Sequence, residues 1–250
     1  MNKPNEAISL DEMCYTHLSD KASHGYAKIY EKFFEENRFN NINFVEIGVY
    51  GGGSAKVWRE YFTQADIFML DIFDKEQLLK NVDVNFMRVD AGCETDLEKV
   101  LDAVESKTQR REIDILVDDG SHFQHDQMKS LGFLYPFISK GGYYVIEDIC
   151  REERLATGSE WWGNSKESRG KWNDWGGYKL VRTDEEWMAG KEMDLSASTD
   201  ATIKKFIETN TFDSKFLTNE QNKYITENVE KIDYYSEELS CLSKLAVFSK

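Results

Sequence analysis

The stretch NINFVEIGV (41–49) is a short apolar run that empties into Tyr50-Gly51-Gly52-Gly53 and then into SAKVWREYF (54–62), where Val57, Trp58, Tyr61 and Phe62 recur at helical spacing. Strand, glycine turn and helix form the first half of a βαβ unit. The alternation then continues. ADIFMLDIF (65–73) and VNFMRVD (84–90) read as strands, TDLEKVLDAVES (95–106) as a helix, and EIDILVDD (112–119) as a strand ending in carboxylates. FQHDQMKSLGFLYPFI (123–138) reads as a helix, turned by KGG into the strand YYVIED (143–148). This order predicts an α/β chain with an open, mostly parallel sheet.

On either side of this stretch the pattern changes. Residues 10–37 carry apolar groups at helical spacing, with Ile29, Phe33 and Phe34 on one stripe, so residues 1–40 read as a helical preface to a domain over 41–250. After Asp148, EWWGNSKESRGKWNDWGG (160–177) holds Trp161, Trp162, Trp172 and Trp175 among polar residues, an ordered surface insertion at about 150–198. Ordinary packing, a pocket cover or a surface for a sugar ring all suit these tryptophans. ATIKKFIETNTF (201–212) and NEQNKYITENVEKI (219–232) read as helices, and KLAVFSK (244–250) as a final strand.

Composition narrows the partners. The 250 residues hold 31 Lys and Arg against 46 Asp and Glu, a formal charge of −15, which disfavours attraction to nucleic acid or to an anionic membrane surface. No run of about 20 apolar residues is present, and the opening MNKPNEAISLDEMC lacks a secretory core, so a cytoplasmic chain is expected. Cys14, Cys93, Cys150 and Cys241 are scattered without a CxxC pair and read as reduced structural thiols.

The glycine turn fails two familiar tests. Gly48 and Gly53 have phosphate-loop separation, but Ser54 and Ala55 stand where Lys and Ser or Thr would hold phosphate and magnesium. Counting GxGxxG from Gly51 places Lys56 at the third glycine. What remains is an open turn at a strand end, followed by Asp71 at the next strand end, where an acid can accept from both hydroxyls of a ribose. Glu46, inside the first strand, is suited either to anchoring the loop or to meeting a cationic ligand group.

A second group lies at adjoining strand ends. Asp118 and Asp119 close the fourth strand, Gly120-Ser121-His122 leads into a helix bearing His125, and Glu147-Asp148 closes the next strand. Ligands of open α/β sheets collect at such ends, and carboxylate oxygens suit hard divalent ions. His122 is cast as a proton acceptor for an alcohol, because imidazole titrates near neutrality. Taken singly, Asp118 or Asp119 also suits a helix cap, His122 or His125 a satisfied core histidine, and Glu147 or Asp148 a solvated turn.

FVEIGVYGGGSAKVWREYFTQADIFMLDI, VDDGSHFQHDQ and FISKGGYYVIEDI together resemble the Rossmann-like class I S-adenosylmethionine-dependent methyltransferases, and more closely a bacterial branch of macrocin-type sugar O-methyltransferases. SDKASHGYAKIYEKFF is similar to the segment that precedes the fold in that branch. The resemblance implies a mostly parallel seven-stranded sheet with flanking helices, S-adenosyl-L-methionine and magnesium as cofactors, and O-methylation of a sugar or glycosylated metabolite. It implies that Glu46, Gly48, Gly51, Gly53 and Ser54 surround the methionine part of the cofactor, Asp71 its ribose, and Asp90 and Ala91 its adenine. Asp119 belongs both to that set and, with Glu147 and Asp148, to the magnesium ligands, and His122 is the base. Ile149-Cys150-Arg151 and the tryptophan-rich stretch depart from the branch, so its macrolide acceptor is not carried over. A catechol-like or other small-molecule acceptor is the alternative within enzymes, and a noncatalytic nucleoside-binding module the alternative outside them. Homo-oligomer formation is left open.

Overall fold

A computed structural model of the chain describes residues 8–149, 195–236, 239 and 244–250. Seven strands form one sheet: β1 (Asn43–Ile47), β2 (Asp66–Asp71), β3 (Asn85–Arg88), β4 (Ile113–Asp118), β5 (Ile138–Ile149), β6 (Lys231–Tyr235) and β7 (Lys244–Ser249). Their order is β3-β2-β1-β4-β5-β7-β6. The first five run parallel, and β7 lies antiparallel between β5 and β6. β1 is buried along its whole length, as expected of a central strand covered on both faces.

One face is covered by α1 (Leu10–Thr16), α2 (Lys21–His24), α3 (Tyr26–Phe34) and α4 (Gly53–Tyr61). The preface is thus broken into three short helices, with left-handed backbone at Leu18 (φ 57°) and Gly25 (φ 87°). Ser9 and Glu12 close the first with a reciprocal capping box. Ile29 and Phe34 are buried and Phe33 packs at the edge of the same core. Phe34, Phe44 and Phe62 surround the fully buried Trp58, with ring centroids 4.9–6.2 Å from it, so one aromatic cluster joins α3, β1 and α4. Truncating such a tryptophan to alanine costs about 3–5 kcal/mol.

The opposite face holds α6 (Glu94–Thr108), α7 (Gln124–Leu134), α8 (Thr199–Thr209) and α9 (Asn219–Asn228); the single turn α5 (Glu76–Leu79), whose Leu79 packs on the first face, leads into β3. Two details differ from the sequence reading. Lys140-Gly141-Gly142 lies within β5, where it interrupts pairing with β4 between Ile138 and Tyr143. The helix expected over 219–232 stops at Asn228, and Lys231–Tyr235 is a strand. There Ile232 and Tyr234 pack on one core and Tyr235 on the other, a period of two that a helix cannot serve.

Cys14 and Cys93 are free and buried, and burial pushes the Cys14 thiol up to about 12. Cys150, Cys241 and the four tryptophans of the insertion lie outside the described residues. No helix among the described residues is long and apolar enough to cross a membrane.

Candidate active site

The strand order reverses at β1, which has β2 on one side and β4 on the other, so a crevice opens beyond the carboxyl ends of β1 and β4. Gly48 sits at its floor. With φ +99°, it brings the turn so close to β4 that an added Cβ would lie 2.0 Å from the Asp119 carbonyl oxygen. Backbone bonds pin both sides: the Gly48 amide donates to Leu70 at 2.7 Å and the Asp119 amide to Ile47 at 2.8 Å. At Gly53, the first residue of α4, a Cβ would meet the His17 and Leu18 carbonyls at 2.8 and 3.2 Å, so the end of α1 seats against the start of α4. Nothing lies within 4 Å of a Cβ built on Gly51.

Glu46 is fully buried, with one oxygen hydrogen-bonded and the other, Oε1, ion-paired but accepting no hydrogen bond. Ser54 Oγ donates to Oε2 at 2.6 Å, and Lys21 Nζ lies 3.1 Å from Oε1. Burial raises its pKa, with Lys21 acting against the rise. The Ser54 bond suits a loop anchor, and the buried Oε1 that accepts no hydrogen bond suits the other role, meeting a cationic ligand group, so both stay open.

Asp71 closes the turn from the other side. Its Oδ2 accepts from the Val49 amide at 3.0 Å and its Oδ1 from the Phe73 amide at 2.8 Å. A carboxylate has about four lone-pair sites, so two accepted bonds leave acceptor capacity. Asp90, at the end of β3, is buried; its Oδ1 accepts from the Gly92 amide at 3.0 Å, and Ala91 packs half-buried against the α6 side of the core.

At the end of β4 the two adjacent acids point apart. Asp118 turns inward, accepting from Ser130 Oγ at 2.5 Å and from Tyr144 Oη at 3.3 Å, and burial pushes it up to about 6. Neither Asp118 nor Asp119 caps α7, whose N-cap is Phe123. Asp119 turns toward the crevice, where its Oδ2 accepts from Lys21 Nζ at 2.8 Å. His125 is directed elsewhere, with Nδ1 3.0 Å from Asp126 Oδ1 and its ring edge on Phe216.

Consecutive residues in a strand normally face opposite ways. Asp148 escapes that rule through a left-handed backbone (φ 50°), next to the pairing shift between Ile146 and Ile149. Both Glu147 and Asp148 consequently reach Asp119. Asp119, His122 and Asp148 each offer a ligand atom within 4.8 Å of the others, and so do Glu46, Asp119 and Glu147. His122 is left-handed as well (φ 58°), and its Nε2 lies 3.6 Å from Asp148 Oδ2. Asp and His are among the residues that tolerate this region best, and such conformations gather at functional sites. Hard carboxylate oxygens fit magnesium or manganese, and imidazole, a less expected ligand of magnesium, suits a base beside the ion.

Three partners of these acids come from the preface, and the sequence did not single them out. Lys21, fully buried, donates to Asp119 and, at 2.7 Å, to Glu147 Oε1. Tyr30 Oη donates to the same Glu147 oxygen at 2.5 Å, and Tyr26 Oη to Asp148 Oδ1 at 2.7 Å. Burial works to lower the Lys21 pKa, but Asp119, Glu147 and Glu46 outweigh it and hold the ammonium charged. Burial and the nearby Asp119 raise Glu147 well above the usual carboxylate range, and burial raises Asp119. Gln127 Nε2 fixes the strand end by donating to the Glu147 carbonyl at 3.0 Å, and Thr199 Oγ1 donates to Gln127 at 2.9 Å.

No family model matches the chain. It is 33% identical over 149 residues to the 8-demethyl-8-(2-methoxy-alpha-L-rhamnosyl)-tetracenomycin-C 3'-O-methyltransferase of Streptomyces olivaceus, covering 56% of this chain and 36% of that one. Against the mycinamicin VI 2''-O-methyltransferase of Micromonospora griseorubida the identity is 34% over 133 residues, 50% and 32% of the two chains. Against the demethylmacrocin O-methyltransferase of Streptomyces fradiae it is 33% over 155 residues, 56% and 36%. The matches thus span about a third of the length of these curated relatives. Among solved structures, the methyltransferase MycE from the mycinamycin biosynthetic pathway, in complex with Mg, SAH and mycinamycin VI, covers 98% of this chain and 55% of its own, with a TM-score of 0.63 at 22% identity. The chain has the Rossmann-like class I methyltransferase fold and is related in sequence to the macrocin- and mycinamicin-type sugar O-methyltransferases.

Proposed function

We propose that the chain transfers a methyl group from S-adenosyl-L-methionine to a hydroxyl of a sugar or glycosylated small molecule, with magnesium held at the carboxyl edge of the sheet. The observation that carries this reading is the convergence of Asp119, His122 and Asp148 beside a glycine turn tied down by Asp71. In it, Glu46, Gly48, Gly51, Gly53 and Ser54 line the methionine end of the cofactor. Asp71 spends its remaining acceptor capacity on the ribose hydroxyls, and Asp90 and Ala91 border the adenine. Asp119, Glu147 and Asp148 hold the metal, which would orient an acceptor hydroxyl and acidify it.

The chain's own work is alignment and proton removal. His122 takes the hydroxyl proton on its imidazole as the acceptor oxygen forms its bond to the methyl carbon. Bound there, S-adenosyl-L-methionine would supply a methyl carbon on a positively charged sulfur that would leave with the bonding pair as a neutral thioether. Asp148, near His122 Nε2, steadies the imidazolium that results. Holding donor and acceptor in line supplies the rest of the rate through orientation. The names of the relatives, which specify sugar hydroxyls, support the acceptor class. The same reading makes residues 41–250 the methyltransferase domain, with the insertion at about 150–198 as its accessory segment and the cytoplasm as its compartment, in keeping with the buried free thiols.

The test is methyl transfer from S-adenosyl-L-methionine to a panel of rhamnosides, other glycosides and catechols, read by mass spectrometry with and without a chelator. Transfer to a glycoside that stops on chelation and returns with magnesium is expected. Transfer confined to catechols would overturn the acceptor class, and transfer indifferent to chelation would overturn the metal.

A further inference from the structure

Glu46, Asp119 and Glu147 come from three different strands, and their facing oxygens all lie within 4.8 Å of one another. Three carboxylates at that spacing, Glu46 and Glu147 buried and Asp119 partly exposed, are an arrangement that two-metal centres use, with one acid shared between neighbouring ions. Asp119 is the shared acid here, since it also belongs to the group with His122 and Asp148. The centre of the first group is filled by this chain's own ammonium. Lys21 Nζ lies 3.1, 2.8 and 2.7 Å from Glu46, Asp119 and Glu147, within a side chain that is 1% exposed.

We propose that Lys21 is a built-in cation occupying what would otherwise be a second metal position, so that the site takes a single divalent ion, the one that Asp119, Glu147 and Asp148 hold beside His122. The inference rests on the metal reading above and deepens it. An ammonium has three donors directed by geometry and one charge. Here it donates to Asp119 and Glu147 and lies at ion-pair distance from Glu46, whereas a divalent ion in its place would demand about six oxygen ligands and would draw Asp119 away from the neighbouring ion. Lys21 Nζ and Tyr30 Oη both meet Glu147 at Oε1, and neither contact uses Oε2. Lys21 likewise meets Asp119 at Oδ2 alone. Asp119 and Glu147 therefore each meet the ammonium through one oxygen, while the second oxygen of Glu46 is held by Ser54. The charge of the internal cation also matters: it partly neutralises the cluster, so the acids stay organised while the metal exchanges.

Manganese is the probe, because it shares the preference for oxygen ligands and is visible to electron paramagnetic resonance. The full-length wild-type chain is expected to bind one equivalent of manganese at saturation, with the signal of an isolated ion. Lys21→Met is expected to bind two equivalents, with the broadened signal of two coupled ions. Its melting temperature should rise on adding manganese by more than the wild type's, because the metal then neutralises acids that Lys21 neutralised before. Lys21→Arg, which keeps the charge, should return to one equivalent. Should Lys21→Met fold only poorly without metal, the wild-type stoichiometry still decides. Two equivalents in the wild type would overturn the inference and leave the metal reading standing; no bound manganese would overturn both. A Lys21→Met chain that still binds one equivalent, with an unchanged thermal response, would reduce Lys21 to a packing residue.

Discussion

Lys21 and Lys244 are both buried lysines bonded to acids, and their surroundings are opposite in kind. Lys244 Nζ lies 2.5 Å from Asp200 Oδ2, and the same oxygen receives Lys204 at 3.1 Å, while Tyr234 Oη donates to the other oxygen. Two ammoniums serve one carboxylate. Burial would raise the Asp200 pKa, but Lys244, Tyr234 and Lys204 outweigh it and hold the group below its usual value. At Lys21 one ammonium serves three carboxylates, and there burial wins: Glu46, Asp119 and Glu147 are all raised. An acid with surplus donors is finished chemistry and holds the α8 end against β6 and β7. Acids short of donors still gain by taking up positive charge, which is what a binding site needs.

The largest effect that would sharpen this contrast is on rate. His122→Asn keeps a residue that tolerates left-handed backbone and removes the base. Single-turnover methyl transfer at saturating magnesium and cofactor should fall by about 10²-fold to 10⁴-fold, with the melting temperature nearly unchanged. An unchanged rate would move the base to another group.

Next comes the opposite case, a change that costs stability and spares catalysis. Lys244→Met leaves Asp200 to Lys204 and Tyr234, so the loss should sit near the low end for a broken buried pair, about 3 kcal/mol by urea titration, with turnover per folded molecule within about twofold of wild type. The pH dependence has a fixed sign. Because the folded Asp200 is depressed, its contribution is present above the unfolded pKa of about 3.9 and is lost as pH falls through the folded value. The gap between wild type and Lys244→Met should therefore be constant near neutrality and close below about pH 4. A gap that widens in acid would show that the two regions do not differ as described.

The smallest effect tests whether the preface acts on the metal acids. Tyr26→Phe removes the hydroxyl bonded to Asp148, and the affinity for magnesium measured by calorimetry should weaken about tenfold, the lower range for groups that orient a ligand. Equal affinity in the two proteins would confine Tyr26 to packing.

The parts that local pattern governs were readable in the chain. β1, β2 and β4 follow from apolar runs, the first carrying Glu46 and the others closing on Asp71 and on Asp118 before Asp119, because a buried parallel strand leaves little choice of side chain along its length. β6 was not readable, since Lys231–Tyr235 is half-buried at the sheet edge and follows α9 after only two residues. The donors in the preface were hidden for another reason. A lysine in a helical stretch is nearly always solvated, and nothing near Lys21 in sequence marks its partners. The usable signal was indirect: several acids converging on one buried edge require a cation, and SDKASHGY holds one in a stretch otherwise read only for its apolar stripe.

Lys21 precedes Asp119 by 98 positions and Glu147 by 126. As the chain emerges from the ribosome, the preface is made before its charge partners and can meet them only once they have been made. α1–α3 can close onto the sheet as seen here only after β5 has been synthesised and paired with β4. The preface is thus made before the sheet but secured only with it, and its arrival completes the acidic edge at the moment the parallel sheet is finished.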